Sequence, residues 1–181
     1  MKLGNFLGEK NKNRFFIMHL SYGQDEGGNR KTELWDFSAK NSLIGLDLTN
    51  YVEDDWVRVR NSAAGKLKNN RLGIWTRQFN MFCEDIADFS MKIGDVVLVL
   101  DGWSYLLGIA EVTTKHSYRP ELASSRKGAF FDHVREVDWI KKYHFADRPK
   151  IPSVKGVDNT LAIVEKGSKR WSRLAAMNVD R

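Results

Sequence analysis

The chain has 181 residues, a hydrophobic fraction of 42% and a formal net charge of +6. This length suits one domain with a sizeable core, and the excess of Lys and Arg favours a polyanionic partner, although many basic proteins bind no nucleic acid. The single cysteine, Cys83, excludes a disulfide framework and a zinc site built from cysteines, and it suits a reducing cytoplasm. No apolar run reaches the ~18 residues of a membrane span, and the first residues lack the apolar core of a signal peptide. We therefore expect a cytoplasmic protein that has no membrane partner.

The first quarter of the sequence predicts a lead-in, a strand, a helix and a second strand. Residues 5–14 are polar and rich in Gly, Lys and Asn, which indicates a mobile lead-in. Residues 15–20 (FFIMHL) are apolar on both alternate faces, which is the pattern of a central strand. After a charged, Gly-rich loop, residues 32–40 predict a short helix and residues 42–48 predict a strand.

The middle of the chain predicts the clearest helix and then a hairpin. Apolar side chains recur there at spacings of four and three, which places them on one face of an amphipathic helix. These side chains are Trp75, Phe79, Phe82, Ile86 and Phe89. Residues 96–100 and 105–112 are apolar runs on either side of the turn signal Asp101-Gly102, and this pattern predicts a β-hairpin with buried strands.

The last third of the chain predicts two more strands and a final helix. Residues 116–128 are rich in Ser, Arg and Lys and predict a long loop. The patterns after it predict strands at 129–140 and 160–164 and a helix at 169–177. Five or six strands with a long helix suit an α+β fold built on a small, partly open β-barrel. We expect residues 15–165 to form the domain, residues 1–14 a flexible lead-in, and residues 166–181 a C-terminal helix or the start of a linker.

The motifs of common catalytic sites are missing. The sequence contains no P-loop, GxSxG, HExxH or GxGxxG motif. The four histidines, His19, His116, His133 and His144, show no metal-ligand spacing along the sequence, and one cysteine cannot complete a deaminase-type zinc site. We therefore expect a non-catalytic chain with no cofactor or metal; a small enzyme with an unrecognised site is an alternative.

Residues 91–112 (MKIGDVVLVLDGWSYLLGIAEV) resemble the core of the PUA-like superfamily in its EVE and YTH branches, which are small β-barrels that read modified bases in nucleic acid. The resemblance runs from Phe15 to Ile140. It includes FFIMHLSY at 15–22, KTELWDFS at 31–38, and FDHVREVDWI at 131–140, which is similar to Phe-Asp-Val-x-Trp-Ile of the family. VRNSAA at 59–64 resembles the EVE pattern Val-Arg-Asn-x-x-Ala. The resemblance implies a PUA-like, partly open barrel with flanking helices.

Within this superfamily the chain most resembles the N-terminal domain of archaeal McrB-type restriction proteins, which recognises methylated DNA ahead of a GTP-driven AAA+ motor. The resemblance implies that the partner is modified double-stranded DNA, with flipped N6-methyladenine as the expected base. It also implies a full-length protein with an AAA+ GTPase domain that works with an endonuclease subunit. The alternatives are a PUA-like domain that reads modified RNA and a protein-interaction module with no nucleic-acid role.

Reading a methylated base takes an apolar slot, because the extra methyl adds no charge and is worth only about 1–3 kcal/mol in a fitted pocket. In the YTH pattern the tryptophan at the position of Trp35 helps to form an aromatic cage. The other cage candidates are Tyr22, Trp56, Trp75 and Asp36. Trp56 equally suits a loop anchor, Trp75 the helix core and Asp36 a cap. The chain departs from the family pattern at residues 116–128, where Tyr118 stands alone in place of the second cage tryptophan.

A flipped base also needs a side chain to fill the vacated space and cations to offset lost stacking. Trp103 and Tyr105, at the predicted hairpin turn, are the candidates for the wedge, and a packing lid is the other interpretation of Trp103. Basic loops are expected to contact the phosphates. Their side chains are Arg58, Arg60, Lys66, Lys68, Arg71, Arg119, Arg126 and Lys127.

Overall fold

A curled, open sheet of mixed strands with a few helices forms the fold, which is therefore α+β. The computed structural model of the chain describes residues 2–10, 12–20, 28–46, 77–78, 80–84, 88–123, 131, 133–154 and 160–178. Within these residues no helix is both long enough and apolar enough to cross a membrane.

The strands alternate with short helices along the chain. In order, the elements are α1 (Leu3–Glu9), β1 (Arg14–His19), α2 (Gly28–Asn41), β2 (Leu43–Leu46), β3 (Val96–Asp101), β4 (Tyr105–Val112), β5 (Ser117–Tyr118), the short helix Pro120–Ala123, β6 (His133–Lys142), a 3-10 turn (Phe145–Asp147), β7 (Leu161–Glu165) and the C-terminal helix (Lys169–Ala175). Residues 77–78 and 80–83 are also helical.

The prediction of a central strand at 15–20 is confirmed by the sheet order β2-β6-β4-β3-β1-β7, in which β1 lies between β3 and β7. β1 runs parallel to β3 and antiparallel to β7. Its side chains alternate between two cores, because Phe15 and Ile17 pack in one apolar cluster and Phe16 and Met18 pack in another. Both faces of this strand are therefore buried.

The predicted hairpin is confirmed as β3 and β4, in antiparallel register with Leu98 opposite Ile109. Every residue of β3 is buried, as expected of a β-branched apolar run at the centre of a sheet. Asp101 is the last residue of β3, and Gly102 begins the turn with a positive φ of 57°. An irregularity in the pairing between Val99 and Leu100 precedes the turn.

The remaining predicted strands and helices are present with shifted ends. The helix predicted at 32–40 lies within the longer α2, and β2 covers the first part of the strand predicted at 42–48. The strand predicted at 129–140 corresponds to β6, which extends two residues further, while β7 and the C-terminal helix lie close to their predicted positions. The loop predicted at 116–128 is not irregular throughout, since it contains β5 and the short helix.

The first half of the predicted lead-in at 5–14 is helical, because residues 5–9 lie in α1, and residue 14 begins β1. Leu3, Phe6 and Leu7 have the i, i+3, i+4 spacing of one helix face, and all three are buried. The N–H of Leu3 donates a hydrogen bond to the carbonyl of Met177 at 2.8 Å. Helix α1 and residues 174–177 thus pack on the same core.

The amphipathic helix ends earlier than the apolar spacing predicts. Cys83 is the last helical residue of this segment that the structure describes, residue 84 is not helical, and Phe89 lies in a turn with its side chain 40% exposed. The chain turns back here, since the N–H of Met91 donates to the carbonyl of Met81 at 2.6 Å. This reversal moves Phe89 off the helix face. Trp75, Phe79 and Ile86 lie outside the described residues.

Candidate nucleic-acid interface

Trp35 lies on α2 with its ring in the core, where it is only 1% exposed. Its indole Nε1–H donates a hydrogen bond to the carbonyl of Tyr143 at 2.8 Å, and its ring meets Trp139 edge to face at a centroid distance of 5.1 Å. Gly108 of β4 allows this approach, because a Cβ there would lie 2.8 Å from both rings. The structure therefore corrects the expected exposure of Trp35, and a cage role would require the ring to leave this packing.

Of the other cage and phosphate candidates, the structure describes only Asp36 and Arg119. Asp36 is exposed on α2, about 100° around the helix from Trp35, so the two side chains do not share a face. Arg119 donates to Glu136 at 2.7 Å, so a phosphate would compete with this carboxylate for it. The candidates outside the described residues are Tyr22, Trp56, Arg58, Arg60, Lys66, Lys68, Arg71, Trp75, Arg126 and Lys127.

Two aromatic side chains at the hairpin turn are partly exposed to solvent. Trp103 is 37% exposed and Tyr105 is 40% exposed. The backbone of this turn is held by the segment after the 3-10 turn, because Val154 N–H donates to Trp103 O at 2.9 Å and Ile151 N–H donates to Ser104 O at 2.7 Å. Exposed rings on a braced turn suit a wedge, and the wedge role itself stays a prediction.

Ion pairs fix the base of the turn. The buried carboxylate of Asp101 accepts from Arg148 at 2.9 Å and from Lys31 at 3.2 Å. The guanidinium of Arg148 also lies over the rings of Phe145 at 4.0 Å and Tyr105 at 5.0 Å. Arg148 therefore helps to hold the ring of Tyr105 in place.

His19, the last residue of β1, supports the hairpin turn through its side chain. Its Nδ1–H donates to the carbonyl of Gly102 at 2.7 Å, and its ring meets Trp103 at a centroid distance of 4.6 Å. Burial lowers the pKa of His19; the hydrogen bond to Gly102 raises it, and the positive charge of Arg170 lowers it again. With its pKa lowered, His19 is neutral at neutral pH and has a structural role.

A basic groove beside this turn was not predicted from the sequence. A cavity of ≈ 310 Å³ is lined by Lys169, Arg170 and Arg173 of the C-terminal helix and by the backbone segment that includes Val154. A second cavity of ≈ 320 Å³ shares Arg173 and adds Lys150. Val154, which lines the first cavity, also donates to the carbonyl of Trp103, so the groove adjoins the aromatic turn through this residue.

The cations of this groove carry charge that the described part of the chain leaves uncompensated. None of Lys169, Arg170 and Arg173 forms an ion pair with another described residue. The C-terminal helix sets their direction, since Ser168 caps it by accepting from Trp171 N–H at 3.0 Å and Trp171 packs on Phe15. The sequence signal was the run KRWSRL at 169–174, in which the apolar Trp171 and Leu174 pack on the core while Lys169 and Arg173 are exposed.

A second cluster, at the opposite end of β4, joins two histidines and the cysteine. His116 Nε2 lies 2.8 Å from His133 Nδ1, and Cys83 Sγ lies 3.8 Å from the same nitrogen. Burial lowers the pKa of His133 to about 3, and the neighbouring His116 also lowers it. The absence of ligand spacing in the sequence was thus misleading, because residues 83, 116 and 133 meet only in the fold.

The comparison with known families places the chain. The model of the family described as Domain of unknown function (DUF8426) matches residues 22–161, and the chain belongs to that family. The matched residues include the aromatic turn and the cluster of Cys83, His116 and His133, while the C-terminal helix follows them. A search of curated proteins finds no match to this chain.

The packing of Trp35 yields a stability prediction. Trp35→Ala removes a fully buried ring and a hydrogen bond, so it should lower the free energy of unfolding by about 3–5 kcal/mol. Trp103→Ala removes a partly exposed ring and should cost less than about 1.5 kcal/mol. Urea unfolding followed by far-UV circular dichroism measures both. Equal stabilities of Trp35→Ala and the wild type would contradict the core assignment and would revive Trp35 as a free cage wall.

Proposed function

We propose that the chain is a non-catalytic nucleic-acid-binding module that contacts its ligand through the aromatic turn and the basic groove. One observation carries the proposal: two exposed aromatic rings on a braced turn adjoin a groove whose three helix cations have no ion-pair partner among the described residues. Rings that are solvent-exposed and held in place stack on bases or enter base steps at little ordering cost. Cations spaced along a groove neutralise phosphates.

The basic groove and the aromatic turn would have different roles in binding. Phosphate contacts from Lys169, Arg170 and Arg173 would give affinity and orientation without reading sequence. Trp103 would enter the space of an extruded base or stack on an unpaired one, each such stack being worth about 1–3 kcal/mol. The hydrogen bond of His19 to Gly102 and the ion pair of Arg148 with Asp101 would hold the turn in place. Gly102 and Asp101 lie within two residues of Trp103.

The finer proposal is that the ligand is duplex DNA carrying a flipped modified base, with N6-methyladenine as the first candidate, and that the module targets a cytoplasmic restriction complex with an AAA+ GTPase domain and an endonuclease subunit. The resemblance to PUA-like EVE and YTH modules supports it, and the curled, open α+β sheet is compatible with that fold. With Trp35 in the core, the remaining cage candidates are Tyr22, Trp56 and Trp75.

The affinities for matched duplexes test the identity of the ligand, and the variant Trp103→Ala tests whether the aromatic turn is the binding surface. The chain should prefer a duplex with N6-methyladenine over unmodified, 5-methylcytosine and N4-methylcytosine duplexes in fluorescence anisotropy. Trp103→Ala should weaken duplex binding more than binding to a single-stranded modified oligonucleotide, because only the duplex requires extrusion. Phe89→Ala, which removes another exposed ring away from the hairpin turn, is the matched control and should change neither affinity.

Equal losses on the two substrates would remove Trp103 from the wedge role. A preference for modified RNA of the same sequence would favour an RNA reader. No binding to any nucleic acid at low salt would contradict the proposal and favour a protein partner.

The groove yields a prediction about salt dependence. Lys169→Gln and Arg173→Gln should each weaken modified and unmodified DNA by the same factor and flatten the plot of log K against log salt by about 0.9. Lys10→Gln removes the same charge from a lysine that pairs with Glu111 at 2.9 Å, and it should leave the slope unchanged. If all three variants behaved alike, net charge and not the groove would determine binding.

A further inference from the structure

Three metal-ligand side chains converge from three separate segments of the fold. Cys83 ends the helical residues 80–83, His116 lies between β4 and β5, and His133 is the first residue of β6. One ligand atom from each residue lies within 4.8 Å of the other two. A thiol and two imidazoles are the ligand types that zinc takes in proteins.

The distances are close to those a tetrahedral ion requires. With Zn–N near 2.0 Å and Zn–S near 2.3 Å, two nitrogens on one ion lie about 3.3 Å apart and a sulfur lies about 3.6 Å from a nitrogen. The observed values are 2.8 Å between His116 Nε2 and His133 Nδ1 and 3.8 Å between Cys83 Sγ and His133 Nδ1. The third pair, Cys83 and His116, is bounded at 4.8 Å. To admit the ion, the two imidazoles would therefore separate by about half an ångström and Cys83 and His116 would approach each other by up to about 1 Å.

We propose that Cys83, His116 and His133 form a binding site for a zinc ion. The site goes beyond the proposed function and does not depend on it. Within the described residues the group has three members, so the ion would keep a fourth position for water or another ligand, as zinc sites with three protein ligands do. Binding would release the thiol proton of Cys83, since the thiolate is the ligand form.

A buried arginine holds the three segments in register. Arg135, which is fully buried, donates from Nε to the carbonyl of Phe82 at 2.7 Å and from Nη1 to the carbonyl of Thr114 at 3.1 Å. Phe82 precedes Cys83, Thr114 stands two residues before His116, and Arg135 itself stands two residues after His133. One side chain thus connects the backbones that carry all three ligands, which is the kind of support that orients ligands before an ion binds.

Aromatic rings form the surroundings of the ligands. The ring of Tyr118 lies 5.0 Å from that of His133, and the ring of Phe82 lies 6.3 Å from that of His116. His133 itself is 2% exposed. These rings limit water access to His133, and the shell around a metal site controls its solvent access and dielectric.

Metal titration of the tag-free full chain tests the site. After treatment with a chelator and desalting, Zn²⁺ should bind with a stoichiometry of about one in calorimetry and raise the melting temperature. Co²⁺ should give the absorption of a tetrahedral ion together with a thiolate-to-metal charge-transfer band. His116→Ala and Cys83→Ser should each weaken Zn²⁺ binding by at least about 10–100-fold, the loss seen when even the supporting partners of ligands are removed. His144→Ala, which removes an exposed histidine outside the cluster, should bind as the wild type does.

The cobalt spectrum separates a lost ligand from a lost fold. Cys83→Ser should lose the charge-transfer band while its far-UV circular dichroism matches that of the wild type. The proposal is overturned if the wild-type chain binds Zn²⁺ no more tightly than Cys83→Ser and His116→Ala do. It is equally overturned if no charge-transfer band forms with Co²⁺, because the three side chains would then be only a hydrogen-bonded cluster.

Discussion

The parallel pairing of β1 with β3 determines where the surface features of this domain lie. It places His19 opposite Leu100, so β1 ends directly beneath the turn that follows β3. The imidazole of His19 can then bind Gly102 and support the ring of Trp103. Without this register the turn would lose its support, and in the proposed binding mode its aromatic side chains would have to be ordered at an entropic cost when the ligand binds.

Buried and exposed tryptophans lie at different places among the described residues. Trp35 and Trp139 meet over Gly108 and fill the space between α2 and the sheet, so they contribute apolar burial. Trp103 lies at the hairpin turn, where part of its ring stays in water, and exposed aromatic surface of this kind is characteristic of binding sites. The division also explains why a family resemblance that falls on Trp35 does not by itself locate the binding surface.

Much of the architecture could be predicted from the sequence, because a strand that is buried on both faces has a continuous run of apolar residues. FFIMHL and VVLVL are short β-branched or aromatic runs, and both became central strands. The misassigned parts are those where the fold overrides local composition. Residues 3–7 carry a helical apolar spacing, but the polar residues around it masked the contribution of that helix to the core. Phe89 continues the helical spacing of apolar residues in the sequence, but it lies in a turn, where the chain reverses direction toward Met91.

The candidate sites were harder to predict than the fold. Lys169, Arg170 and Arg173 line a groove only because Trp171 and Leu174 point inward, and the other wall comes from residues about 20 positions earlier. Cys83, His116 and His133 are far apart in the sequence. The pairing of β5 with β6 brings the two histidines together, and Cys83 comes from a helical segment, so no local spacing could reveal the cluster. Trp103 was identifiable because an aromatic residue directly after a turn signal has few core positions to occupy.

The most direct test of the central claim, that the ligand is bound at the aromatic turn and not at the buried tryptophan, follows the indole N–H signals of the six tryptophans by NMR. Single Trp→Phe variants assign the signals, and the labelled chain is titrated to saturation with a duplex that contains N6-methyladenine. The account predicts that the Trp103 signal shifts while the Trp35 signal, whose N–H is bound to Tyr143 in the core, stays in place. A Trp35 signal that moves while that of Trp103 does not would contradict the account.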